Sequence, residues 1–569
     1  MKYTTSFNKN TTTSLNRNAT TPFNRNTPKN LYICIIALWI RGIEVSIKKI
    51  QMATPQERFA AALHKLKDLQ DRNEVAITVA DLPNRVYREI LLKNGFIKEV
   101  IKGWYVSSDP TVGPGETTSW YSSYWDFCVK FLNSRYGNDW ILSADQSLRI
   151  HAGNWSVPAQ LFLRSPNGNN NPTSLGHNTS LFNYRADLPA SELITVEKGI
   201  RMYSLQGALI YCSAASFGGN GLDARTALSL IRDASELLPV LLENGHSVIA
   251  GRLAGAFRNI GRERIADQII ETMRQAGYDV REDDPFQTRL AIDLSSRERS
   301  PFVNRIKLMW QQMREEVIQD FPASLGLPKD HEAYLDDVDS MYVTDAYHSL
   351  SIERYRVTPE LIERVSSDTW NTQGSAEDRR QKDAMAARGY FQTFQVVKES
   401  VKKILNGKNP GGQVDQDHPR WYRELFDPSV AAGILKASDL AGYRNNQVYI
   451  SNSQHVPLSV DAMRDCMPVL FELLEAEPEA SVRAVLGHFV FVFIHPYMDG
   501  NGRMGRFLMN AMLASGGYPW TVIPVEKRDE YMKALEQASV EQNISAFSRF
   551  VTYLVNEGLN GKPVAVLPQ

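Results

Sequence analysis

Disulfides, thiolate metal sites and a membrane span all lack raw material in this chain. Its 569 residues hold four cysteines, Cys34, Cys128, Cys212 and Cys466, far apart and without a Cys-x-x-Cys pair. That spacing excludes a disulfide framework or a structural zinc and predicts reduced thiols in a cytoplasmic protein. Neither sign of charge dominates, with 63 Lys and Arg against 64 Asp and Glu. No global field therefore draws in nucleic acid or a membrane, and any such binding must come from a local patch. Acidic residues are missing altogether before Glu44, in a Thr/Asn-rich near-repeat that begins "TTSFNKNTTTSLNRN". Such a segment cannot bury enough apolar area to offset its ordering entropy, so residues 1–51 are expected to be disordered. The apolar run that follows, "LYICIIALWI", is about ten residues, too short to span a bilayer, and no small-residue cleavage site marks a signal peptide. A transit peptide shares this composition. Met52, opening the amphipathic "MATPQERFAAALHKLKDLQ", is the better start for a globular protein, with the preceding residues as an upstream extension.

What is present suggests three or so domains on length. From Met52 a helix, the run "NEVAITVADL", a helix closed by Gly95 and a hairpin pivoting on Gly103 follow the order of a winged-helix unit over 52–110. Between Arg85 and Lys102 five basic residues face Glu89 and Glu99, a stripe that leaves duplex DNA open as a partner. An α/β region over 111–290 ends at the polar break "REDDPFQTR", and residues 291–569 read as almost entirely helical. The predicted fold is mainly α.

Within that last region "ASVRAVLGHFVFVFI" is apolar around its circumference towards its end and predicts a helix buried on all sides. His495 lies where it ends, and "HPYMDGNGRMGR" then gives a glycine-rich loop and a new helix N-terminus. Gly500, Asn501 and Gly502 turn backbone N–H groups inward beside a positive helix end, a nest for a phosphate chain. Arg503 and Arg506, three apart, share one face of the first turn and supply further donors. Asp499 beside such a nest repels phosphate unless a hard cation bridges them, which points to Mg2+. His495, neutral near its ordinary pKa of ~6.5, can take a proton from an attacking hydroxyl.

The stretch His495–Arg506 resembles the signature of Fic-domain proteins at every functional position, departing only at Tyr497, where phenylalanine is usual. "GYRNNQVYISNSQHVP" is similar to the family's β-hairpin flap, and "PVEKRDEYMKALEQA" to its C-terminal helix entry. The resemblance covers about residues 291–560 and implies an all-α Fic domain with a small flap. It implies transfer of AMP from ATP to a Ser, Thr or Tyr hydroxyl of a protein target, with pyrophosphate leaving and Mg2+ as cofactor. By position, His495 is then the base, Asp499 holds magnesium, and Gly500, Asn501 and Gly502 cradle phosphates. Arg503 supports the α/β region, Arg506 grips the γ-phosphate, and Tyr531 lies near the adenine. The flap at Val448, Tyr449 and Ile450 would pair with the target as an added strand. Self-modification and a homodimer are compatible with this reading.

"DAYHSLSIERYR" places Ser349 and Glu353 four apart and resembles the family's inhibitory Ser-x-x-x-Glu-Gly/Asn motif, with Arg354 where Gly or Asn is expected. The resemblance implies that Glu353 pairs with Arg506 and blocks the γ-phosphate site. His488 is expected as a satisfied core histidine and His348 as a surface residue. Residues 52–166 are similar to AbiEi-type antitoxin regulators, which leaves two further readings. One has the same site removing AMP, with Glu353 positioning water; the other is a DNA-binding regulator whose Fic domain senses nucleotide.

Overall fold

A computed structural model describes residues 54–111, 117–218, 221–243, 245–286, 298, 300–366 and 382–568. The expectations for residues 1–51 and for Met52 lie outside them. The described residues fall into two compact units, one up to Asn138 together with Pro172–Leu181, the other Asp139–Asn171 and Phe182 onward.

The first unit opens with a helix its sequence marks at the first turn. Thr54 accepts the Glu57 N–H at 3.2 Å and Glu57 returns a carboxylate to the Thr54 N–H at 2.7 Å, a capping box ahead of Pro55–Asp71. Strand Ala76–Thr78, helix Arg85–Lys93 and strands Ile97–Ile101 and Trp104–Ser107 follow. The last strand lies between the other two, antiparallel to both. Leu66, Leu69, Ile77, Leu91 and Ile97 make the core, and helix Thr118–Tyr136 sets Phe127 and Phe131 edge-on to Trp104. Two of the five basic residues of the stripe are engaged within the unit: Arg85 pairs with Glu89 at 2.7 Å and Arg88 donates to the Leu82 carbonyl.

The second unit is mostly helical. Its first part pairs Ile141–Leu142 with Gln160–Ser165, forms a hairpin from Ile194–Glu197 and Ile200–Tyr203, and packs helices Leu222–Leu230, Ser247–Asn259 and Glu263–Gln275 around their own apolar core. Helix Pro301–Asp320 lies against Leu222–Leu230 and leads into a larger helical assembly. At the centre of that assembly every residue of Ala480–Ile494 is buried, as its uninterrupted apolar second half requires. Helices Asn501–Ala514, Pro301–Asp320, Val460–Ala476 and Ser545–Leu559 pack against it, and Lys382–Leu405 and Pro410–Ala431 lie against Asn501–Ala514. Among the described residues no helix is long and apolar enough to cross a membrane.

The flap differs from expectation. No strand is formed over residues 444–450, where a bend at 445–446 is followed by irregular chain. Side chains hold the loop in place of a ladder: Gln447 donates to the Pro457 carbonyl at 2.8 Å, and Arg444 donates to the carbonyls of Asn446 and Leu458. Val448 and Ile450 are buried and Tyr449 lies half-buried between them, an alternation that anchors the segment on one side.

Candidate active site

The central helix ends because His495 leaves it with φ +59°, in the left-handed region. A residue with a side chain holds that conformation at a cost of about 1 kcal/mol or more and needs support from its surroundings. Arg444 provides it, its Nε donating to the His495 carbonyl at 2.8 Å and its own N–H to the Pro496 carbonyl at 2.9 Å. Nothing in the local sequence announces this contact, since it is made 51 residues away. The imidazole is fully buried and its Nδ1 lies 3.0 Å from the Val492 carbonyl. A carbonyl can only accept, so Nδ1 carries the proton and Nε2 the lone pair, the tautomer a general base requires. Burial lowers the pKa to about 3, further from the ordinary value than the sequence predicts, which keeps the ring neutral at any physiological pH.

The loop beyond is tied to the next helix by Asn501. Its side-chain oxygen accepts the Tyr497 N–H at 2.9 Å and its amide donates to the Tyr497 carbonyl at 2.8 Å. The Asn501 side chain therefore shapes the loop, leaving the nest to backbone N–H groups. Tyr497 stacks on Tyr422 with ring centroids 3.7 Å apart, the aromatic anchor its position calls for. Gly500 turns with φ +82° and begins Asn501–Ala514, and a Cβ there would press on Phe426 and Leu425. Asp499 accepts the Gly500 N–H at 2.7 Å and lies 3.5 Å from Arg503, partly exposed.

Both arginines are buried. Arg503 lies over the rings of Tyr355 and Phe426 at 5.3 and 5.1 Å. Arg506 Nε donates to Ser349 Oγ at 2.7 Å, while Nη2 donates to the Ser349 carbonyl at 3.1 Å and to Glu353 at 2.9 Å. Arg503 Nε and Arg506 Nη1 remain buried donors without a hydrogen-bond partner, a costly condition that an anion relieves. The Glu353 carboxylate also presses on Gly502, where a Cβ would collide with it. The anion nest is thus filled by a carboxylate of the chain itself.

Glu353 is held there by the way its helix ends. After Tyr342–Ile352 the Arg354 N–H donates to the Ser351 carbonyl at 2.9 Å and the Tyr355 N–H to Leu350 at 3.1 Å, the paired bonds of a Schellman motif. Arg354 occupies its left-handed position at φ +65°, which favours glycine or asparagine. The departure from the family pattern at Arg354 therefore leaves the motif intact at the expense of backbone strain. Arg354→Gly is expected to stabilise the turn by about 1 kcal/mol, raising the melting temperature slightly. A fall in melting temperature would contradict this account of the turn.

One expectation needs correcting and one residue was missed. His348 is not on the surface: it is fully buried, with Nδ1 accepting the Val525 N–H at 3.1 Å and Nε2 donating to the Val566 carbonyl at 3.0 Å. Its helix is buried on more than one side, so exposure does not follow from helical phase. Tyr531 is buried, packed among Phe547 and Phe550 with its hydroxyl 2.9 Å from His488 Nε2. That contact also gives the buried His488 a partner. The missed residue is Asp345, one turn before Ser349, buried and accepting from Tyr390 at 2.9 Å and Trp520 at 3.2 Å.

Beside a lowering of His151 and His348, burial depresses four histidines strongly, His418 and His455 to about 4 and His488 and His495 to about 3. Each prefers the neutral form when folded, so the unfolded chain binds more protons below pH ~6.5 and stability is lost as pH falls. Together they are expected to remove on the order of 5 kcal/mol by pH ~5.5. Asp345, raised by burial to about 6, acts in the opposite direction as a single group. Denaturant melts at pH 7 and 5.5 measure the difference; equal midpoints would mean these rings are not held neutral.

Residues 419–513 match the model of the Fic/DOC family. The chain is 39% identical over 262 residues to a "Protein adenylyltransferase Fic" of Nematostella vectensis, covering 45% of this chain and 57% of that protein. It is 38% identical over 113 residues to the protein of the same name from Drosophila willistoni, covering 19% and 22%. Among solved structures, "Fic-1 (aa134 - 508) from C. elegans" aligns at 17% identity and TM-score 0.33, over 60% of this chain and 98% of that one. The chain thus spans from about a fifth to just over half of the curated relatives' lengths. The family model's match encloses the whole loop from His495 to Arg506, so it is residues 419–513 that are similar to the Fic/DOC family.

Proposed function

We propose that the chain is a protein adenylyltransferase held inactive by its own Glu353. The observation that carries this reading is the Glu353 carboxylate seated on Arg506 and Gly502, both in the loop-helix segment that the neutral ring of His495 opens. ATP placed with its phosphates at the N-terminus of Asn501–Ala514 meets the loop N–H groups and the two arginines' unpartnered donors. A target hydroxyl attacks the α-phosphorus and a new P–O bond forms. The bond to the leaving pyrophosphate breaks, and His495 Nε2 takes the hydroxyl proton. Arg503 and Arg506 balance charge on the phosphates.

Magnesium fits the donor set. Among the described residues no three His, Cys, Asp or Glu side chains gather as a metal cluster, and Asp499 is a single carboxylate at the nest. One carboxylate completed by substrate phosphates is a usual way to hold this ion. Bound there, it would neutralise phosphate charge; Asp499 keeps one oxygen on the Gly500 N–H, which orients the other. The partners are protein targets, received along the segment Val448–Ile450 by main-chain pairing.

Incubation of the purified chain and a cell lysate with ATP labelled at the α-phosphate tests this reading. Covalent protein label that survives denaturation, absent when the γ-phosphate carries the label, is the expected outcome. Label from the γ-position would assign phosphorylation instead.

A further inference from the structure

The turn of the flap is tied to two distant parts of the chain. The Gln454 N–H donates to Glu536 at 2.8 Å, and the Ser453 hydroxyl donates to the other oxygen of the same carboxylate at 2.5 Å. On its opposite side, the Gln454 carbonyl accepts the N–H of Val157 at 3.0 Å. The loop that presents Val157 is organised by Asn154, whose side-chain oxygen accepts the Ser156 N–H at 3.2 Å and whose amide donates to Asp223 at 3.2 Å. Asp223 in turn accepts from Gln542 at 3.3 Å. Gln542 closes the turn Gln537–Glu541, which begins directly after Glu536.

These contacts close on themselves, running from Asp223 through Asn154, Val157, Gln454, Glu536 and Gln542 back to Asp223. Arg305 at 2.5 Å and Arg149 at 3.6 Å balance the charge of Asp223, so the hub is not an isolated buried carboxylate. A closed ring is stiffer than its separate bonds, because displacing one member strains both of its neighbours. The ring also reaches the catalytic end of the central helix. His455, next after Gln454, stacks on Phe493 at 4.3 Å and donates to its carbonyl at 2.8 Å, two residues before His495.

We infer that the part of the second unit formed by Asp139–Asn171 and Phe182–Phe286 is the positioning element of the flap. Through Asn154 and Val157 it fixes where Val448–Ile450 lies relative to His495, and hence how a target hydroxyl is presented. The inference rests on the proposed role of that segment as the target-receiving strand. A region carried only as a tether or a separate binding module has no need to donate a backbone hydrogen bond into the flap, nor to share a carboxylate with the C-terminal helices. Asn154, Asp223 and Gln542 are positioning residues, with no contact to reacting atoms.

The test uses the full chain carrying Glu353→Gly, with hydrogen–deuterium exchange of the flap amides and auto-labelling from α-labelled ATP as two readouts. Asn154→Ala removes two members' bonds at once, and Gln542→Ala opens the ring from its other side at a half-buried residue. Both are expected to speed exchange at Gln454 and His455 and to slow labelling by roughly tenfold, the weight of a lost buried hydrogen bond, with ATP affinity unchanged. Arg258→Ala breaks the ion pairs with Glu282 and Asp267 in the same region but outside the ring, and should move neither readout. Unchanged flap exchange in both ring variants, or an equal change in Arg258→Ala, would overturn the inference. If the Glu353→Gly parent does not label at all, the adenylyltransferase reading falls, while exchange still decides whether the ring holds the flap.

Discussion

Labelling of the protein by ATP is expected to rise about ten- to a hundredfold when Glu353 is replaced by glycine, the weight of a charge-assisted hydrogen bond of ~1.5–3 kcal/mol. In the resting chain Arg506 Nη2 is occupied by Glu353, and the carboxylate lies on Gly502 where phosphate has to enter. Substitution empties the nest, yet Ser349 still holds the arginine through Nε and Nη2, so the guanidinium stays in place to receive the γ-phosphate. Adding Arg506→Ala should reverse the gain. Melting temperature does not discriminate here: breaking a buried ion pair destabilises whether the pair is a latch or only a strut. Activity does. A folded Glu353→Gly protein that labels no more than wild type would remove self-inhibition, and one that loses the release of AMP from modified protein would favour the reverse reaction.

His495→Ala, made in the Glu353→Gly background, is expected to lower the transfer rate by roughly 10²–10⁴, the usual contribution of a positioned general base. ATP affinity should change little, because the loop N–H groups and both arginines are untouched. The backbone consequence is separable. Alanine must adopt the same φ of +59°, so a variant that folds but labels poorly has lost the ring and not the turn. His495→Asn, whose shorter amide tolerates left-handed backbone better, should fold more readily and remain equally inactive. Binding of a fluorescent ATP analogue beside labelling rates makes the separation.

The loop His495–Arg506 was legible because its chemistry is local: a buried helix, a glycine turn and a helix start lie within a dozen residues, and each is announced by residue type. The spacing of Ser349 and Glu353 was legible for the same reason, although only the backbone shows why the next position favours glycine or asparagine. What escaped depends on chain segments far apart in sequence. Arg444 supports His495 from a loop whose pattern suggested a hairpin, and its side chain displaces the ladder that pattern predicts. Asp345 and Glu536 look like ordinary helix-surface acids until the fold buries the first and half-buries the second. His348 was misplaced because helical phase assigns one solvent face, and its helix is covered on more than one side, by helices Pro359–Ser366 and Lys382–Leu405 and by the segments carrying Val525 and Val566. In the first unit, counting basic residues suggested a stripe, but pairing with Glu89 and with the Leu82 carbonyl spends two of its arginines.

The central claim joins a transferred group, a base and a latch, and intact-mass measurement of the purified protein tests all three together. After incubation with ATP and Mg2+, the Glu353→Gly chain is predicted to gain mass in steps of one AMP. Wild type should gain little, and Glu353→Gly with His495→Ala should gain none. Steps of a single phosphate, or AMP addition that persists without His495, would contradict the account.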